Sequence, residues 1–163
     1  MEHGLAGPDP TYRRLRLALS AQLGRFLEPE EARAESILWL EDGLGRSRSW
    51  MAAHGDDPVP AEEGARVEGW LCRRETGEPW AYILGWTEWR GRRFEVGPAT
   101  LIPRPETELV LEAALEIGRR LNVQRAVDIG TGTGILGISM ALGTEWAVTA
   151  TDISEGALEL ARR

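Results

Sequence analysis

Along the first half of the chain, apolar positions recur at helical spacing. Tyr12, Leu15, Leu19, Leu23 and Phe26 fall on one face, which predicts a helix opening at Tyr12. Pro29, flanked by Glu28, Glu30 and Glu31, sets acids at the positive end of a second helix. Its apolar face is predicted to be Ile37 and Leu38, with Gly43 and Gly45 ending it. A short helix over 47–53 carries Trp50 and Met51 and stops at "HGDDPVP". Another opens near Pro60, with Glu62 and Glu63 in its first turn, turns Val67, Trp70 and Leu71 inward, and closes by Gly77. Residues 1–10 read as a loose tail. The whole predicts an all-helical domain over 1–76, with Trp39, Trp50 and Trp70 in its core, because large aromatics dominate small cores.

The period then changes. "AYILGWTEWRGRRFEV" is rich in β-branched and aromatic residues and is interrupted at Arg90-Gly91. This predicts a hairpin of 82–89 and 92–96 closed at that turn, although Arg is not a favoured first turn residue. "GPATLIPRP" reads as an extended connector, since residues before proline avoid the helical region; hairpin and connector span 77–104. Pro105 is predicted to open a helix with Leu109, Ala113 and Ile117 inward and Val110, Ala114 and Leu121 beside them. A strand over 125–129, a glycine loop, a helix from Ile135, a strand over 147–151 and a helix capped by Ser154 complete the order. This is α/β grammar, the first β-α-β unit of a doubly wound sheet within 105–163. Residues 125–163 alone are expected to be poorly stable, because one sheet edge stays unpaired.

Composition narrows the classes. The 163 residues are 42% hydrophobic and 28% charged, as in ordinary globular chains. A net charge of −7 argues against direct nucleic-acid binding, which needs surplus cations facing phosphates, and Arg13, Arg14 and Arg16 read as a solvated helix face. A single cysteine, Cys72, excludes an internal disulfide, and His3 and His54 stand in no metal-ligand spacing. The start lacks the pattern of a secretion signal, and the longest apolar run, 135–143, is too short to span a bilayer. The expectation is a cytoplasmic protein with no membrane partner and no metal.

The candidate chemistry sits in "DIGTGTGILG", residues 128–137. Gly130, Thr131, Gly132, Thr133 and Gly134 follow a predicted strand at its carboxyl end, where open α/β sheets bind ligands. Glycines let a ligand lie against the backbone, and the next helix offers free N–H groups to an anion. Asp152 ends the neighbouring strand, where an acid accepts hydrogen bonds from ribose hydroxyls. NAD and S-adenosylmethionine both satisfy this pattern. Gly132, Gly134 and Gly137 spell the dinucleotide fingerprint, although Gly137 also suits close packing of helix on sheet. Asp128 is unfavourable beside a pyrophosphate and favourable beside the ammonium of a methionine-like ligand, which tilts the choice toward S-adenosylmethionine.

"GEPWAYILGWTEWRGRRFEVGPATLIPRPETELV" (77–110), followed by "VDIGTGTGILGIS" and "TDIS", closely resembles the HemK/PrmC family. That family methylates the glutamine amide in the Gly-Gly-Gln motif of class I peptide release factors. The resemblance implies a helical N-terminal domain, a hairpin linker and the first β-α-β unit of a Rossmann-like class I methyltransferase domain, incomplete in 1–163. It implies that Gly130 through Gly134 line the S-adenosylmethionine site and that Asp152 binds the ribose. Arg104, Pro105, Glu106 and Thr107 would form the pocket wall near the reacting groups, though Pro105 and Glu106 equally suit a helix start. The helical domain would help dock a release factor. In that family an Asn-Pro-Pro-Tyr motif holds the substrate amide. The only asparagine here is Asn122, in "RLNVQR", so no catalytic residue is named and residues 1–163 are expected not to transfer the methyl group. Two alternatives stand beside this expectation: a non-catalytic module that binds release factor, and the N-terminal half of an NAD-dependent oxidoreductase.

Overall fold

The computed structural model describes Leu5 and residues 10–163, which divide into two compact units, Met1–Leu84 and Gly85–Arg163. In the first, α1 (Tyr12–Leu23) is capped by Thr11, whose hydroxyl accepts the Arg14 N–H, and it buries Tyr12, Leu15, Leu19 and Leu23. Phe26 does not extend this stripe. It lies beyond the C-cap Gly24, where the chain has left the helical path, and is 42% exposed.

α2 (Pro29–Leu38) starts at the proline with Glu30 and Glu31 in its first turn. Its inner face differs from the predicted one: Ala32 and Ser36 are buried, while Leu38 is 42% exposed. Ala32, Ser36, Trp39 and Leu40 form one stripe at regular helical spacing, which runs from α2 into a π-helical turn, Trp39–Gly43, that follows directly. Gly43 is needed there, because a Cβ would come within 2.7 Å of the Trp70 ring. α3 (Arg48–His54) is capped by Ser47. α4 (Ala61–Glu75) buries Val67 and Leu71 and ends at left-handed Gly77; Gly77 N–H donates to Arg74 O and Glu78 N–H to Arg73 O. That is the bonding pattern of a Schellman cap.

Residues 82–84 are helical rather than the start of a strand. α5 (Trp80–Leu84) forms because Tyr82 and Ile83 N–H groups both donate to Pro79 O, and Gly85 (φ +87) then turns the chain out. This turn delivers Trp80 onto Trp39, stacked at 4.7 Å, with Trp70 edge-on at 5.4 Å from Trp80. Trp39 is fully buried; Trp50 and Trp70 are half-buried against the same core. Glu63, expected only as a first-turn acid of α4, is itself buried. It accepts the Tyr12 hydroxyl at 2.7 Å and the Arg46 guanidinium, which lies 4.6 Å over the Trp50 ring. Burial, then the bond to Glu63, raises the Tyr12 phenol above its ordinary range and keeps it a donor.

In the second unit, β1 (Trp86–Trp89) and β2 (Arg92–Glu95) pair antiparallel, with Trp89 opposite Arg92. The two loop residues, Arg90 (φ 47) and Gly91 (φ 74), are both left-handed, as a type I′ turn demands. The predicted turn is therefore present, in a hairpin shorter than expected. Pro105 and Glu106 form a turn ahead of α6 (Thr107–Arg120) instead of its first residues.

The inward face of α6 is Leu111, Ala114, Leu115 and Gly118, at helical spacing. Apart from Ala114 the predicted stripe faces out, with Leu109 at 66% and Leu121 at 71% exposure and Val110, Ala113 and Ile117 also exposed. Apolar residues cover much of this helix, and Gly118 decides which side packs: the Trp146 ring lies where a Cβ would sit. Asn122 (φ 52) ends α6, as Asn122 N–H donates to Arg119 O and Val123 N–H to Gly118 O. It is the cap residue of a second Schellman motif. β3 (Arg125–Ile129) and β4 (Ala147–Thr151) run parallel, Asp128 beside Ala150, joined through α7 (Ile135–Gly143). α8 (Glu155–Arg162) follows, capped by Ser154. Among the described residues no helix is long and apolar enough to cross a membrane.

Candidate functional site

The site forms where β3 and β4 end side by side. Gly130 and Thr131 N–H groups both donate to Thr151 O, at 2.8 and 2.9 Å, which bends the chain sharply after β3. Gly130, Gly132 and Gly134 then adopt φ of 76, 55 and 79°, in the left-handed region that a Cβ disfavours. Their surroundings differ. A Cβ on Gly130 or Gly132 would point into open space. On Gly134 it would come 2.8 Å from Ile138 Cδ1 and 3.1 Å from Ala161 Cβ, and on Gly137 it would come 3.1 Å from Asp128 Oδ2. The first two glycines thus leave room for a ligand, while the other two make room for the protein.

Asp128 is buried, and its Oδ2 accepts the Thr131 hydroxyl at 2.6 Å and the Gly137 N–H at 2.9 Å. Gly134, the N-cap of α7, has no side chain with which to cap it. The carboxylate of β3 supplies that missing acceptor, to the third amide of the helix, and sets a negative charge at its positive end. Thr131 and Thr133 are both buried. Neither this use of Asp128 nor the amide of Gly137 was expected. The available signal was a buried-strand acid followed by a helix whose N-cap is glycine.

Asp152 is half-exposed at the end of β4. Its Oδ2 accepts the Gly132 N–H at 2.8 Å and its Oδ1 accepts the Ser154 N–H at 2.9 Å. These backbone bonds, from Ser154 first and then Gly132, hold its carboxyl below the usual carboxylate range. A folded-state value below the unfolded one stabilises the loop at pH above the ordinary aspartate range. That contribution disappears as pH falls through the lowered value. We therefore expect the protection of the Gly132 amide, its exchange measured against the intrinsic rate at each pH, to fall below about pH 4, and Asp152→Asn to remove that fall. Protection that stays constant through this acid range in the native chain would contradict it. Each carboxylate oxygen retains a further lone pair, so both can still accept from the hydroxyls of a diol.

The connector contributes less. Arg104, Pro105 and Glu106 are exposed and Thr107 is half-buried, and their backbone bonds close the turn before α6 on itself. Upstream, Ala99 rests against α8, 3.0 Å from where a Gly156 Cβ would sit.

Residues 18–85 match the family model described as the PrmC N-terminal domain. The chain is 44% identical over 135 residues to a release factor glutamine methyltransferase of Bordetella pertussis, covering 82% of this chain and 50% of that one. It is 42% identical over 135 residues to the Pseudomonas aeruginosa protein of the same name (81% and 48% covered). It is 36% identical over 148 residues to that of Escherichia coli (89% and 52% covered). The chain spans about half the length of these curated relatives.

Proposed function

The chain belongs to the family of the release factor glutamine methyltransferases, and on that premise we propose that its glycine loop holds S-adenosylmethionine. The reaction proposed for the protein is methyl transfer to the glutamine side-chain amide in the Gly-Gly-Gln motif of class I release factors, in the cytoplasm. The second unit is then the start of a Rossmann-like methyltransferase domain, and the helical unit helps to dock the release factor. The observation that carries the cofactor reading is the junction of Gly132 and Asp152. An acid fixed by the loop amide stands beside two glycines with open space over them.

The roles fall to this chain's own atoms. Asp152 accepts from the ribose hydroxyls while the Gly132 and Ser154 amides keep its carboxylate ionised and aimed. Gly130 and Gly132 let the ligand lie against the backbone. Asp128 holds the loop's shape through Thr131 and Gly137, and its charge favours a ligand with a cationic group nearby. When bound, S-adenosylmethionine supplies an electrophilic sulfonium methyl. The four residues Arg104 to Thr107 are assigned to the pocket wall on the strength of the family pattern. No Asn-Pro-Pro-Tyr string occurs in 1–163, so no residue of the chain is given the task of holding the substrate amide.

Two features favour this ligand over NAD. Pyrophosphate would need close approach at Gly134, whose missing Cβ position is already crowded by Ile138 and Ala161. It would also compete with Asp128, which occupies the third amide of α7. Parallel calorimetry of the chain with the two ligands tests the assignment. We expect saturable heat with S-adenosylmethionine and none with NAD. Asp152→Ala should weaken binding at least ten-fold, or about 1.4 kcal/mol. Saturation by NAD alone would overturn the reading.

A further inference from the structure

We propose that the helical unit carries a second binding site, independent of the glycine loop, for an aliphatic carboxylate. It is a cavity of about 180 Å³ bounded by α1, the π-helical turn and α3. Its walls are Ile37, Leu40 and Met51, and three guanidinium groups border it: Arg16, Arg46 and Arg48. Such a volume lies below the roughly 300 Å³ at which pockets for whole cofactors begin. It suits a single branched side chain or an acid of that size.

The charges around the cavity do not cancel. Glu41 accepts the Arg48 N–H at 3.0 Å and lies 3.5 Å from its Nε. Glu63 pairs with Arg46. Two carboxylates against three guanidiniums leave one positive charge over, and it belongs to Arg16. That residue is half-buried and has no hydrogen-bonded or ionic partner among the described residues. A half-buried cation without a counter-ion is costly in an apolar wall, and a monoanion seated there relieves the cost. One donor is also unanswered. Arg46 Nε–H is buried and has no acceptor among the described residues, because its guanidinium is held by Glu63 on one side and the Trp50 ring on the other. A carboxylate seated in the cavity takes its charge from Arg16 and lies beside the Arg46 guanidinium, while its alkyl part meets Leu40 and Met51. In a chain of net charge −7, a local surplus of this kind is specific to the place. Both a free short acid and a Glu or Asp side chain on a bound protein carry the required chemistry.

The test is nitrogen-15 NMR of the full chain, following the Arg46 Nε–H resonance during titration with isovalerate and with its neutral isostere isovaleramide. We expect a saturable shift with isovalerate, at least ten-fold weaker binding of isovaleramide, and at least ten-fold weaker isovalerate binding in Arg16→Gln. Arg16→Lys, which keeps the charge, should retain part of the affinity, and unchanged resonances elsewhere in both variants would show that α1 is intact. A third titration uses the blocked peptide acetyl-Leu-Glu-Leu-amide. Binding tighter than isovalerate supports the site and identifies a protein side chain as its source; weaker binding supports it with a free acid as source. Equal response to acid and amide, no saturable shift at Arg46, or undiminished binding in Arg16→Gln overturns the proposal.

Discussion

Replacing Asp128 by alanine is expected to destabilise the second unit by about 3 kcal/mol and to abolish measurable S-adenosylmethionine binding. The size follows from what the carboxylate does. Its Oδ2 is the acceptor for a buried hydroxyl and for the third amide of α7, and removal leaves both donors without a partner. Each stranded donor costs about 1–3 kcal/mol, and the lost helix cap is part of the same sum. Asp128→Asn separates geometry from charge. Its amide oxygen can accept from Thr131 and Gly137 in the same place, so the expected cost is nearer 1 kcal/mol. Urea unfolding with an unchanged slope provides the measurement, since a shift of midpoint alone then reads stability. Full stability and full cofactor binding in the alanine variant would show that the loop is held by something else.

The second large effect lies away from the loop. A Cβ on Gly118 would stand 1.9 and 2.1 Å from two ring atoms of Trp146. A fused ring packed against α6 cannot yield that distance by rotating its end. Gly118→Ala should therefore cost about 3 kcal/mol, even though alanine is the better helix former by about 1 kcal/mol. For a unit of this size the melting temperature should fall by roughly 15 °C. The clash has a single partner, which makes the claim sharp. In a Trp146→Leu background the same substitution should cost less than about 1 kcal/mol, giving a coupling of at least ~2 kcal/mol between the two positions. Additive behaviour would mean that the ring is not seated on Gly118.

These two residues mark where the sequence was legible and where it was not. The order of helices and strands followed from periodicity and punctuation. The Arg90-Gly91 turn was visible despite its unfavoured arginine, because glycine supplied one left-handed position and strand-like residues flanked it. The meeting of Gly132 with Asp152 followed from placing both at the ends of neighbouring strands. What spacing could not supply was direction. α6 is apolar over so much of its surface that two stripes were available, and the choice fell to the shape of Trp146. In α2 the small residues Ala32 and Ser36 share a regular helical stripe with Trp39 and Leu40, and the larger Ile37 and Leu38 drew the expected face away from it. Trp80 to Leu84 have strand-like side chains, yet the Pro79 carbonyl organises them as a helical turn. The position of Asp128 before the loop was legible, but that its Oδ2 accepts from Thr131 and from the third amide of α7 was not.

The glycines of the loop also differ in what holds them fixed over evolutionary time. At Gly130 and Gly132 the constraints are backbone sign and the room left for a ligand, since no protein atom occupies the space where a side chain would project. Asparagine or aspartate, which tolerate that conformation, can drift in and out at those positions as long as the ligand is not displaced. Gly134 is constrained by sign and by crowding together, and Gly137 by the Asp128 oxygen pressed against it. A change at either of those demands a compensating change in Ile138, Ala161 or Asp128. Among relatives, the outer pair should therefore vary singly and the inner pair only in company. A search pattern that weights all of these glycines alike would discard divergent members whose cofactor loop is intact.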